Sequence, residues 1–151
     1  MKKIYILIVI STTLSSCLKL DDNLFNADKL TEYKLDGFTG EQDFVLDASY
    51  NIPSHLINIF TLNSQMSSES SPTTIYAIYI GNISRIATDT VVMYCHGNKS
   101  HMDFYWQRAK LLANVGGKNN YGVLMVDYRG YGMSEGASSE EGLYTDVNAG
   151  L

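Results

Sequence analysis

The chain has 151 residues, room for one domain at most. A hydrophobic fraction of 45% and a charged fraction of 18% belong to a chain that buries a core, which excludes a disordered polymer. The net charge of -5, with no basic run beyond Lys2-Lys3, argues against nucleic acid as a partner, because phosphate binding needs clustered Lys and Arg.

The N-terminus carries an address. Lys2 and Lys3 precede the apolar run Ile4 to Ile10, of about seven residues, short for a membrane span and right for a signal peptide. Leu14-Ser15-Ser16-Cys17 follows, and this order of charge, apolar core, small residues and cysteine resembles the lipobox of bacterial lipoproteins. The resemblance implies cleavage before Cys17, lipidation of its thiol, and a membrane partner reached through the lipid. Each buried methylene of such an anchor adds roughly 0.8 kcal/mol. Residues 1–16 are then the signal peptide. By the sorting rules of such lipoproteins, Leu18-Lys19 implies the outer membrane of a bacterial cell envelope, and Asp21-Asp22 faintly resembles a surface-export signal. With Cys17 used, only Cys95 remains, so no disulfide is expected within the mature chain.

Residues 17–41 mix Asp, Asn, Lys and Leu without periodicity and read as the lipidated cysteine and a tether. The domain is expected from residue 42 to 151. Phe44-Val45-Leu46 is a short candidate strand, and His55 to Leu62 a better one. Gln65 to Pro72 is serine-rich and reads as a loop. Thr74 to Ile80 is apolar at both alternating sets, as in a sheet covered on two faces. Thr90 to Cys95 is a compact buried-strand run, with Cys95 expected to be a small buried hydrophobe. Asp103 to Val115 reads as a helix with Tyr105, Ala109 and Leu112 on one face, stopped by Gly116-Gly117. Tyr121 to Val126 is a second buried strand. Ser138 to Leu151 reads as a helix, with Ser138 and Glu141 at capping-box spacing.

Thr90 to Asp127 is thus strand, helix, strand, the length of one βαβ unit with parallel strands and a right-handed crossover. Both strands end in distinctive runs: Cys95-His96-Gly97-Asn98, and Asp127-Tyr128-Arg129-Gly130-Tyr131-Gly132-Met133-Ser134. Together they resemble the oxyanion loop and the next strand-end loop of the α/β-hydrolase superfamily, in its lipase-like and serine-aminopeptidase-like branch. The resemblance covers roughly Ile52 to Leu151. It implies an α/β fold, the N-terminal half of a hydrolase sheet, with an antiparallel start leading into a parallel βαβ region.

The resemblance also implies roles. His96-Gly97 opens the oxyanion loop, whose task is to aim a backbone N–H of Asn98 or Lys99 at the oxygen that gains charge in acyl transfer. One such donor is typically worth about 3 kcal/mol of transition-state stabilisation. His96 braces the loop and is not the triad histidine. Asp127, Arg129, Gly130 and Gly132 are mainly architectural, Arg129 as a fork across the strand-end loops.

Gly132-Met133-Ser134-Glu135-Gly136 matches the nucleophile-elbow pattern, yet an elbow serine sits on a sharp turn straight from strand to helix. Residues Tyr128 to Gly132 intervene, so Ser134 reads as a hydrogen-bonded loop residue. His55 and His101 read as surface or capping residues, and Tyr105 and Trp106 as packing aromatics. No His, Cys or carboxylate cluster has metal-ligand spacing, and no cofactor is expected.

The resemblance puts the elbow serine, the triad acid and the triad histidine beyond Leu151, so the chain as given reads as the frame of an enzyme, inert and poorly stable alone. The expected function is a membrane-anchored hydrolase of an ester, thioester or small amide, acting on an acyl substrate once complete. The alternatives are a non-catalytic lipoprotein that uses the fold to bind, and a half-domain that assembles with another chain.

Overall fold

The computed structural model describes residues 24–151. Its centre is a four-stranded sheet of β2 (Ile57–Ser64), β3 (Thr73–Ile80), β4 (Val91–Tyr94) and β6 (Gly122–Asp127), in the order β2-β3-β6-β4. β2 and β3 form an antiparallel hairpin from Ile57↔Ile80 to Ser64↔Thr73, closed by the serine-rich loop. β3 pairs antiparallel with β6, and β6 pairs parallel with β4, Val91 facing Gly122 and Tyr94 facing Met125. The sheet therefore starts antiparallel and becomes parallel, and the fold is α/β.

Alternation along β3 and β6 sends side chains to both faces, and a helix covers each face. α1 (Met102–Ala113) links β4 to β6 and packs Met102, Trp106, Ala109 and Ala113 on the face of Ile78, Ile80, Val123 and Met125. That inward stripe is rotated from the expected Tyr105, Ala109 and Leu112, because Trp106 is fully buried and takes the centre. α2 (Glu140–Ala149) applies Leu143 and Val147 to the opposite face, against Ala77, Tyr79, Leu124 and Val126. Its N-cap is Ser139, which accepts from the Gly142 N–H at 3.1 Å, not Ser138. Ser138 donates instead to the Arg129 carbonyl at 3.1 Å. β4 lies at the sheet edge, bonded only to β6 among the described strands, and its residues are half-buried.

Two further expectations fail. Phe44-Val45-Leu46 forms no strand: it is an irregular segment whose Leu46 N–H donates to Gln107 Oε1 at 3.2 Å. Residues 24–41 are not a free tether, and the packed domain begins well before residue 42. β1 (Asn26–Ala27) pairs parallel with β5 (Lys99–Ser100), and Lys29 bridges to Gly132. Further on, residues 34–51 run along a polar stripe of α1. Asp103 accepts the N–H groups of Lys34 and Leu35, each at 2.9 Å, Gln107 meets Gln42 and Leu46, and the buried Lys110 meets Asp36 at 2.6 Å. Asp103, Gln107 and Lys110 are one helical face, so their polar ends find partners in a segment with no hydrophobic periodicity of its own. Residues 1–23, with the expected signal peptide, Cys17 and the start of the expected tether, lie outside the described residues.

Candidate functional site at the carboxyl ends of the parallel strands

Both motif runs leave the same end of the sheet, because β4 and β6 are parallel neighbours. His96 leaves β4 and turns inward. Its Nε2 lies 3.1 Å from Asp127 Oδ1 at the end of β6, and both side chains are fully buried. Its Nδ1 faces the Gly97 carbonyl at 2.8 Å. The ring stacks on Tyr105 at 5.0 Å and packs against Tyr128 and Tyr131. With both ring nitrogens facing protein oxygens and the ring enclosed, His96 turns no nitrogen toward solvent. It can only brace.

The brace extends through the tyrosines. Tyr128 donates to the His96 carbonyl at 2.9 Å and Tyr131 to the Asn98 carbonyl at 2.9 Å, so both loop carbonyls are tied inward. Asp127 Oδ2 accepts from Tyr33 at 2.7 Å, and the Tyr33 oxygen accepts the Met133 N–H at 3.1 Å. Burial, and next the Asp127 charge beside it, raise the Tyr33 hydroxyl far above the ordinary tyrosine range, so it stays a proton donor. Burial likewise pushes Tyr131 up to about 12.

Within the loop, Gly97, Asn98 and Lys99 are exposed. Gly97 does not carry the sharp backbone turn. Ser100 does, at φ 64°, while a Cβ on Gly97 would lie 3.1 Å from the Tyr105 hydroxyl. Glycine is suited there by close approach to an aromatic ring. Lys99 pairs with Glu41 at 3.1 Å and lies over the Phe104 ring.

Arg129 occupies the other side of the end of β6. Its guanidinium is 1% exposed and forks to Asp146 of α2 at 2.9 Å, Ser64 of β2 at 3.0 Å and Glu69 at 2.8 Å. Its own N–H donates to Asp146 Oδ2 at 2.6 Å. This charge thus joins a helix, a strand end and a loop, and is not presented to solvent. Gly130 and Gly132 both have positive φ, at 88° and 49°. At Gly132 an added Cβ would lie 1.9 Å from Asp127 Oδ2, so this glycine makes room for the Asp127–Tyr33 bond. Ser134 is fully buried, and its hydroxyl donates to the Asp127 carbonyl at 2.6 Å and accepts the Tyr76 N–H at 2.9 Å. It is a strut between loop and sheet. Among the described residues no serine, threonine or cysteine hydrogen-bonds a histidine, and no cluster of His, Cys, Asp and Glu could hold a metal ion.

Cys95 is exposed, against the expectation of a buried one. It follows β4, which pairs with β6 alone among the described strands, so no described strand covers it. It lines a shallow depression of about 530 Å³ with Tyr94, Gly97, Lys99, Tyr105 and Arg108. His55 is exposed, but His101 is buried at the N-cap position of α1, edge-on to Phe38 at 5.2 Å. Residue spacing could not have found Tyr33 or Asp103, whose partners lie 94 and 69 residues away in the chain.

No helix among the described residues is long and apolar enough to cross a membrane. No family model matches the chain, and no solved structure matches it. A 60-residue stretch is similar to curated proteins of enterobacteria: 37% identical to the uncharacterized protein YfhR of Salmonella typhi and of Salmonella typhimurium, and 33% to that of Escherichia coli K12. The stretch is 40% of this chain and spans 19–20% of the length of those relatives.

Proposed function

We propose that this chain carries the oxyanion side of a membrane-anchored α/β-hydrolase that cleaves an ester, thioester or small amide by acyl transfer. The observation that carries the reading is the joining of the His96–Lys99 and Asp127–Ser134 loops, at the carboxyl ends of two parallel neighbours, by the buried His96–Asp127 bond. Such ends are where open α/β sheets bind their ligands.

The winding supports the same reading. A right-handed crossover couples the helix face to the direction in which the chain steps across the sheet. From β4 to β6 the chain steps toward β3 over α1, and α2 lies on the opposite face. A strand following α2 by another right-handed crossover would step back past β4 and add to its open edge. The strand order reverses there, and the His96–Lys99 loop stands at that reversal. On this reading the nucleophile comes from that strand's end, beside the loop, and the triad acid and histidine come later. Asn98 and Lys99 supply the oxyanion donor, His96 fixes the loop, and water attacks the acyl-enzyme in a second step. The anchor is a lipid on Cys17 in the bacterial cell envelope, at the outer membrane.

The test uses the full-length protein from its native cells with a fluorophosphonate probe. Labelling of a serine following α2, still present in Ser134→Ala, is the expected result. An absence of labelling in a folded protein sinks the hydrolase and leaves a fold used for binding. Incorporation of an alkyne-tagged palmitate that Cys17→Ser abolishes is expected for the anchor, and incorporation that survives the substitution refutes it.

A further inference from the structure

We propose that residues 24–35 act as a strap that positions the His96–Lys99 loop, with Tyr33 as a positioning residue working through Asp127 and His96. Its catalytic consequence rests on the hydrolase reading, but the strap itself rests on geometry alone.

The segment grips both strand-end loops at once. On one side the Asn26 N–H donates to the Asn98 carbonyl at 2.8 Å, the Asn98 amide donates to the Leu24 carbonyl, and β1 pairs with β5. On the other, the Gly132 N–H donates to the Asp28 carbonyl at 2.8 Å, the Leu30 N–H to the Gly132 carbonyl at 2.9 Å, and Lys29 Nζ to the Ser134 carbonyl at 2.5 Å. Between these anchors Tyr33 enters the buried Asp127–His96 pair. Beyond Tyr33, Asp103 at the start of α1 accepts the Lys34 and Leu35 N–H groups, although burial raises its carboxyl above the ordinary range.

This arrangement answers a mechanical problem. Gly97, Asn98 and Lys99 are exposed at the edge of the sheet, and an exposed loop held from one side only has several backbone states. An oxyanion donor is useful only if its direction is set before charge develops. The Asn98 carbonyl is held from two directions, by Asn26 of the strap and by Tyr131 of the second loop. Fixing that carbonyl fixes the plane of the peptide it shares with Lys99, and with it the direction of the Lys99 N–H. Tyr33 holds the carboxylate that holds His96, at the root of the same loop.

The experiment compares amide hydrogen exchange in the full-length protein, its Tyr33→Phe variant and its Asn26→Pro variant. Tyr33→Phe removes one hydroxyl and keeps the ring, and Asn26→Pro removes the donor to Asn98. Exchange at residues 96–100 is expected to rise roughly tenfold in each, with Val123–Val126 of β6 unchanged. Unchanged exchange at 96–100 in both variants, or an equal rise in β6, overturns the strap. In the same protein, kcat for p-nitrophenyl butyrate per fluorophosphonate-titrated site is expected to fall about tenfold in Tyr33→Phe with KM unchanged. An unchanged kcat overturns the positioning role. Failure of the parent to label would count against the hydrolase reading, while the exchange comparison still decides the strap.

Discussion

Gly132→Ala tests the buried centre of the site most directly. At φ 49° an alanine adopts a left-handed conformation, which costs about 1–2 kcal/mol. Its methyl carbon would also lie 1.9 Å from Asp127 Oδ2 and 2.6 Å from the Tyr33 hydroxyl oxygen. Neither atom can stay, and neither is the free end of a flexible chain: the carboxylate is pinned by His96 and the phenol by Met133. Losing the 2.7 Å bond leaves a buried carboxylate one partner short, for about 1–3 kcal/mol more. The sum is about 3 kcal/mol, or roughly a 10 °C fall in Tm for a chain of this size, read by far-ultraviolet circular dichroism. In a Tyr33→Phe background the clash with the hydroxyl and the loss of that bond are already absent. Gly132→Ala should then cost about 1 kcal/mol less, a coupling seen only between groups in contact. A loss under about 1 kcal/mol, or strict additivity in the double variant, would refute the packing argument.

Asp146→Ala strips the buried Arg129 of its principal carboxylate and should destabilise by about 3–5 kcal/mol, read as a lower urea midpoint at unchanged slope. An effect under about 1 kcal/mol would mean that Arg129 is not held as the distances indicate. Glu69 has its carboxyl held below the ordinary value of 4.5, first by the Met66 N–H and then by Arg129 and Thr73. A depressed acid stabilises above its unfolded value and loses that contribution as pH falls through its folded one. Stability should therefore decline as pH falls below 4.5, and Glu69→Gln should flatten that decline. A slope unchanged by the substitution would remove Glu69 from the acid response.

The regular elements were legible because each leaves a local signature. β3 and β6 are apolar at both alternating sets and are covered on both faces. α1 and α2 begin and end within a few residues of the sequence-based bounds, since their cues lie inside the helix or next to it. The Gly132–Gly136 segment is a loop several residues from the end of β6, and its serine hydroxyl is spent on the backbone. Phe44–Leu46 misled because a short apolar run is not a strand without a neighbour to pair with.

The amino-acid sequence by itself determined the α/β class, the βαβ unit and the two loops that meet at its carboxyl end, since these depend on apolar period, caps and turn residues close in the chain. Only the tertiary structure decided where the domain begins and what holds the site. The strap's hydrogen bonds join residues far apart in sequence, as Tyr33 and Asp127 are, through polar atoms with no period. A segment without hydrophobic pattern reads as a tether until a polar helix face and two strand-end loops are seen to need it. The exposure of Cys95 among the described residues has the same origin, because strand pairing, not composition, decides which strand end is covered.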